Sequence, residues 1–172
     1  EKKHVKAQYY LGDCYYYGRG VERDYVESSI WYLKAAEQGY DLAQCSIGYN
    51  YQHGYGVLKD YKEALKWYHK AAEQGNAQAI NNIGYNYATG LGVEKNDVEA
   101  VKWYAKAAEM GHAQAQNNLG GHYSTGEGIE KDFDKAIMWY RKSAAQNFPS
   151  AFYNIASCYQ NGEGVERDNA QA

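Results

Sequence analysis

The residues of this chain that could do chemistry are few and scattered. Five histidines (His4, His53, His69, His112, His122) and three cysteines (Cys14, Cys45, Cys158) are the groups suited to soft-metal ligation or nucleophilic attack. Zinc needs such ligands gathered around bonds of about 2.0–2.3 Å. Only His122 and Cys158 recur at the same place in adjacent repeating units, and neighbouring helices about 10 Å apart hold them too far apart to share an ion. No Ser/His/Asp or Cys/His set is legible, because a triad is a matter of geometry and these residues are dispersed. The sequence therefore predicts no catalytic residue, no metal and no cofactor. Gly-x-Gly pairs could cradle a phosphate, but a dinucleotide fingerprint follows a strand and carries a third glycine. Here the pair occurs five times, at Gly18/Gly20, Gly54/Gly56, Gly90/Gly92, Gly126/Gly128 and Gly162/Gly164, which is the signature of turns.

Those turns belong to a 36-residue period. Tryptophan occurs only at Trp31, Trp67, Trp103 and Trp139, each followed by tyrosine. A unit this short cannot bury a hydrophobic face alone, so its neighbours must stack into one continuous core. In the second unit, Ala43, Ile47, Gly48 and Tyr51 make the apolar stripe of a first helix. Gly54-Tyr55-Gly56-Val57 turns the chain, and Asp60 caps a second helix, with Glu63 placed to complete a capping box. Ala64, Trp67, Tyr68, Ala71 and Ala72 are that helix's apolar face, and Gly75 ends it. The Trp-Tyr pairs read as core. Gly12, Gly48, Gly84 and Gly120 inside the first helices imply close packing there, since a helical glycine costs about 1 kcal/mol against alanine.

The recurring pattern, A-x-A-x-x-x-(Leu/Ile)-G-x-x-Y-x-x-G-x-G-V-x-x-D-x-x-x-A-x-x-W-Y-x-K-A-A-x-x-G, resembles the Sel-one-like repeat, a relative of the tetratricopeptide repeat. The match spans nearly all 172 residues as a single array, with units at about 5–39, 40–75, 76–111 and 112–147 and a partial fifth at 148–172. Departures are Ser28 and Ser29 in the first unit and Ala156 in place of glycine. The resemblance implies an all-α fold: a right-handed α-α superhelix, or solenoid, of antiparallel helix pairs. It also implies an adaptor that holds a protein or peptide partner and has no catalysis of its own.

In related solenoids the flank of the first helix away from the second lines a concave groove. On a wheel of 100° per residue that flank carries Tyr10 and Tyr17, then Tyr49, Asn50 and His53, then Asn82, Tyr85 and Asn86, then Asn118 and His122, then Asn154. Asparagines at Asn82, Asn118 and Asn154 can pair with the backbone of an extended peptide, and the tyrosines add flat contact area. Other readings are a regulatory segment of a larger enzyme or secretory-pathway complex, or a glycan- or peptidoglycan-binding module.

Composition narrows the partners. A net charge of −3 does not suit nucleic acid, and the ladder Lys34, Lys70, Lys106, Lys142 is offset by Glu37, Glu73 and Glu109. No apolar run reaches the roughly 20 residues of a membrane span, so direct insertion is not expected. Three unpatterned cysteines and the lack of an Asn-x-Ser/Thr acceptor lean towards a reducing, cytoplasmic setting. Both ends cut into a repeat, so the chain reads as a fragment. Its fifth first-type helix, with Phe152, Ile155 and Tyr159, would lack a cover and could associate end to end with another molecule.

Overall fold

The computed structural model describes residues 4–165. Among them are nine helices and no strand: α1 (Val5–Tyr17), α2 (Tyr25–Glu37), α3 (Asp41–His53), α4 (Tyr61–Glu73), α5 (Ala77–Thr89), α6 (Asp97–Glu109), α7 (Ala113–Thr125), α8 (Phe133–Ala144) and α9 (Pro149–Asn161). Each odd-numbered helix pairs antiparallel with the even one after it, and that one packs on the next odd helix, giving the right-handed solenoid. No described helix is long and apolar enough to cross a membrane. Asp168 and the short stretch after it, expected not to form a further helix, lie outside the described residues.

Local chemistry fixes the ends of the helices. The Asp24, Asp60, Asn96 and Asp132 side chains accept from backbone N–H groups at the starts of α2, α4, α6 and α8. The expected capping box is only half made. Glu63 and Glu99 turn to Lys66 and Lys102 one turn on, because the Asp60 and Asn96 N–H groups already donate to the Tyr51 and Tyr87 carbonyls, both at 2.9 Å. Asn147 takes the left-handed backbone, φ 60°, that glycine holds at the same place in earlier units.

The interior is built from alanines, Ile47, Ile80, Ile83, Leu119 and the tyrosines Tyr32, Tyr68, Tyr104 and Tyr140, all buried. The tryptophans depart from the expected pure core. Trp67 is buried, whereas Trp31, Trp103 and Trp139 are half-buried. Lys34, Lys70, Lys106 and Lys142 lay their ammonium groups over the four indoles at 4.1, 3.9, 5.7 and 4.0 Å from the ring centre. The lysine ladder is thus a lid on the tryptophans, one cation per indole.

Successive units are locked through the second glycine of each turn. Gly56, Gly92, Gly128 and Gly164 press against the backbone at the start of the previous unit's second helix: Tyr25, Tyr61, Asp97 and Phe133. A β-carbon on Gly92 would lie 2.6 Å from the Tyr61 carbonyl carbon. Gly20, with no described unit before it, has nothing within 4 Å.

Candidate functional site

The odd-numbered helices line one inner face. A cavity of about 320 Å³ there is bounded by Tyr9, Asp13, Tyr16 and Tyr17 of α1, Tyr32 of α2, Cys45, Ser46, Tyr49 and Asn50 of α3, and Gln78 and Asn82 of α5. Farther along, an open depression of about 490 Å³ is lined by residues including Tyr85, Tyr104, Asn118, His122, Tyr140 and Asn154.

The floor of this face is made by a packing device. Each even-helix tyrosine lies across a glycine of the odd helix; Tyr32, Tyr104 and Tyr140 reach the cavities, whereas the Tyr68 hydroxyl stays buried without a partner among the described residues. Tyr32 Oη donates to Asp13 Oδ1 at 2.7 Å, and Tyr140 Oη donates to Ser124 Oγ at 3.3 Å. Burial drives the Tyr32 phenol far above its ordinary range, and its bond to the Asp13 carboxylate adds to the effect. Burial alongside Asp13 pushes Tyr9 up to about 12. The Tyr32 and Tyr9 phenols therefore stay neutral, and the Tyr32 and Tyr140 protons are already engaged within the protein.

The expected contact residues fall into two groups. Tyr10, Tyr17, Tyr49 and Tyr85 are 58, 57, 39 and 43 % exposed. Arg19 lies over the Tyr17 ring at 4.5 Å, and the His53 ring packs on Tyr49 at a tilt, centroids 4.2 Å apart. Burial, then the Lys59 charge, holds the His53 imidazole below its ordinary value, so it is neutral at pH 7. Asn50 and Asn86, by contrast, are fully buried. Asn50 Nδ2 donates to Ser29 Oγ at 2.8 Å, and Ser29 Oγ donates on to the Tyr55 carbonyl at 2.8 Å. The serine that breaks the repeat is thus Asn50's partner. Asn86 faces Leu65 in that slot by register, and neither its amide nitrogen nor its oxygen has a partner among the described residues. His122 is also buried, its Nδ1 2.8 Å from the Glu127 carbonyl oxygen.

The asparagine ladder exists, and part of its capacity is used within the protein. Asn118 Nδ2 donates to Asn81 Oδ1 at 3.2 Å, and Asn154 Nδ2 donates to Asn117 Oδ1 at 2.9 Å, tying α5 to α7 and α7 to α9. Asn82 Oδ1 accepts from Gln78 Nε2 at 3.0 Å. These bonds leave the Asn82 amide nitrogen and the Asn118 and Asn154 oxygens without a bond among the described residues.

Sequence reasoning missed two features. Tyr9 and Tyr16 line the cavity although the wheel placed them off the inner flank, and Gln78 lines it from one turn before the positions counted there. Asp97, His122 and Glu127 bring one ligand atom each to within 4.8 Å of one another. They occupy three different registers, so no repeat comparison aligns them.

A family profile for the Sel1 repeat matches residues 5–40, 41–76, 77–112, 113–148 and 149–172. Among solved structures, the chain is similar to a protective antigen of uropathogenic Escherichia coli strains with the same repeat fold: 40% identity, TM-score 0.88, covering 99% of this chain and 36% of that one. A Sel1 repeat protein from Oxalobacter formigenes is 40% identical with TM-score 0.88, covering 97% of this chain and 66% of that one. A sel1 repeat protein from Klebsiella pneumoniae, 24% identical over 97% of this chain and 81% of its own, shares the fold with TM-score 0.65. The chain thus spans about a third of the E. coli protein and under two thirds of the Oxalobacter one. No curated protein matches it.

Proposed function

The chain belongs to the Sel1 repeat family, whose arrays commonly serve as protein-interaction scaffolds, and from that membership we propose that its inner face binds an extended peptide or partner segment. The observation that carries the reading is the row Tyr10, Tyr17, Tyr49 and Tyr85, large exposed rings along a face that holds a cavity of about 320 Å³ with mixed polar and aromatic walls. Tyrosine gives contact area at low entropy cost, and the unbonded amide groups of Asn82, Asn118 and Asn154 can pair with a peptide backbone.

Peptides selected by phage display against the folded array, with affinities measured by fluorescence polarisation, test this reading. Tyr17→Ala and Tyr49→Ala should each weaken binding fivefold or more, the effect of losing an anchor worth over about 1 kcal/mol. Leu58→Ser, on the exposed turn, should leave it unchanged. Equal affinity in all variants would move the binding surface elsewhere. Binding of a soluble peptidoglycan fragment that competes with the peptide would favour the glycan reading of the same tyrosines.

A further inference from the structure

At three of the four described junctions between units, the first residue of the even helix is aromatic, and a cation from the preceding loop lies over its ring. Arg23 covers Tyr25 at 5.4 Å, Lys59 covers Tyr61 at 4.8 Å and Lys131 covers Phe133 at 4.5 Å. At the first junction Tyr55 of the next turn stacks on Tyr25 at 4.9 Å, and at the second the corresponding pair is Tyr61 and Leu91. The third junction keeps the cation, Lys95, but changes what surrounds it. The aromatic is replaced by Asp97, the turn residue is Glu127, and the buried slot held by Asn50 and Asn86 in earlier units is His122.

These three residues come from both sides of the junction, Asp97 from the start of α6 and His122 and Glu127 from α7 and the turn after it. Two carboxylates and an imidazole within 4.8 Å stand where the first two junctions pair Tyr25 with Tyr55 and Tyr61 with Leu91, and like charges this close call for a cation. Lys95 supplies one at present, with Nζ 3.2 Å from Asp97 Oδ2. A second observation concerns the histidine. Its Nδ1 sits 2.8 Å from the Glu127 carbonyl oxygen, which can only accept, so Nδ1 carries the proton and the Nε2 lone pair is left for a ligand. That backbone bond is the outer-shell support typical of a metal-binding histidine.

We infer that Asp97, His122 and Glu127 form a binding site for a divalent transition-metal ion such as Zn²⁺, which clamps the third unit to the fourth. One nitrogen and two carboxylate donors suit zinc or its neighbours better than magnesium or calcium, which take oxygen alone. Water, or a donor from a bound partner, completes the coordination. Lys95 is the ion's internal competitor and must leave Asp97 when the metal arrives.

Calorimetric titration of the apo protein with Zn²⁺, with Mg²⁺ and Ca²⁺ as controls and Co²⁺ as a spectroscopic probe, tests the site. The expected result is one Zn²⁺ per chain, a Co²⁺ visible band displaced by Zn²⁺, and a raised melting temperature with zinc alone. Asp97→Asn, Glu127→Gln and His122→Asn should each weaken binding at least tenfold, the scale of losses around metal centres. His122→Asn installs the residue that units two and three already fold around, so its loss of binding would not be a folding failure. Lys95→Gln should tighten binding, which no purely structural role for these residues predicts. The inference fails if wild-type protein takes up no zinc, if the three variants bind it as well as wild type, or if Mg²⁺ or Ca²⁺ binds equally.

Discussion

Gly84 lies so close to the ring of Tyr104 that a β-carbon added to it would sit 2.9 Å from both Cδ1 and Cε1. The same relationship holds for Gly12 with Tyr32, Gly48 with Tyr68 and Gly120 with Tyr140. The ring can cross the odd helix only because that helix has no side chain there, and for Tyr32, Tyr104 and Tyr140 the crossing reaches the groove. Gly84→Ala should therefore destabilise the fold by about 1–3 kcal/mol, overpacking outweighing the roughly 1 kcal/mol that alanine gains in a helix. Gly121→Ala is the matched control. It is also inside a helix, but its nearest neighbour, Tyr140 Oη, lies 3.9 Å from the added carbon, so it should stabilise by up to about 1 kcal/mol. Urea denaturation of both variants reads the opposite signs.

The turn glycines allow a second comparison. Gly20 and Gly92 have nearly the same left-handed backbone, φ 76° and 74°. Alanine costs about 1–2 kcal/mol at either for backbone reasons alone. Only Gly92 meets the previous unit, with the Tyr61 carbonyl carbon 2.6 Å from an added carbon. Gly92→Ala should thus lose clearly more stability than Gly20→Ala, and the difference between their thermal midpoints isolates the contact between units.

His112 makes the stability of the array depend on pH. It caps α7: its Nδ1 accepts from the Ala115 N–H at 3.2 Å, so its Nε2 carries the proton and donates to Gln78 Oε1 at 3.1 Å. Burial holds the imidazole below its ordinary 6.5, and folding therefore prefers the neutral ring. That stability is complete above the unfolded value and fades as pH falls through it towards the folded one. His53 and His69, lowered mainly by burial, act in the same direction. Lowering the pH from 7.5 to 5.5 should therefore lower the melting temperature. His112→Asn, the residue that caps α5 as Asn76, should flatten that part of the profile in a pH series of melting curves.

Thiol accessibility follows from burial. Cys45 is buried and its thiol is pushed up to about 12 by burial, with Asp41 adding; Cys158 is buried and raised for the same leading reason. Cys14 is only half-buried. Ellman's reagent on native protein should titrate one thiol quickly and the other two only after denaturant is added.

The repeat made the fold legible because every signal recurs. Glycine inside a helix, a cap at Asp60 and a stop at Gly75 agree with one hairpin, and the next unit repeats the agreement. Trp67, Trp103 and Trp139 pack on the core as read, but to different depths, because sequence period gives the face of a helix and not the depth of burial: Tyr68 and Trp67 are adjacent, yet only the tyrosine position is buried in all four units. The groove was harder to read. Whether an asparagine meets solvent depends on its neighbour's size, so Asn82 is half-buried while Asn86, four residues on, is sealed in. The Asp97, His122 and Glu127 cluster was invisible because it is assembled from breaks in the repeat, at places that no period connects.

Photo-cross-linking most directly tests the claim that the inner face holds a partner's chain. A benzoylphenylalanine would replace Tyr49 or Tyr85 on that face, or Leu58 or Val98, both exposed on the turn and the even helix. With a selected peptide bound, the account predicts cross-links from positions 49 and 85 and none from 58 and 98. Cross-links confined to positions 58 and 98 would contradict it.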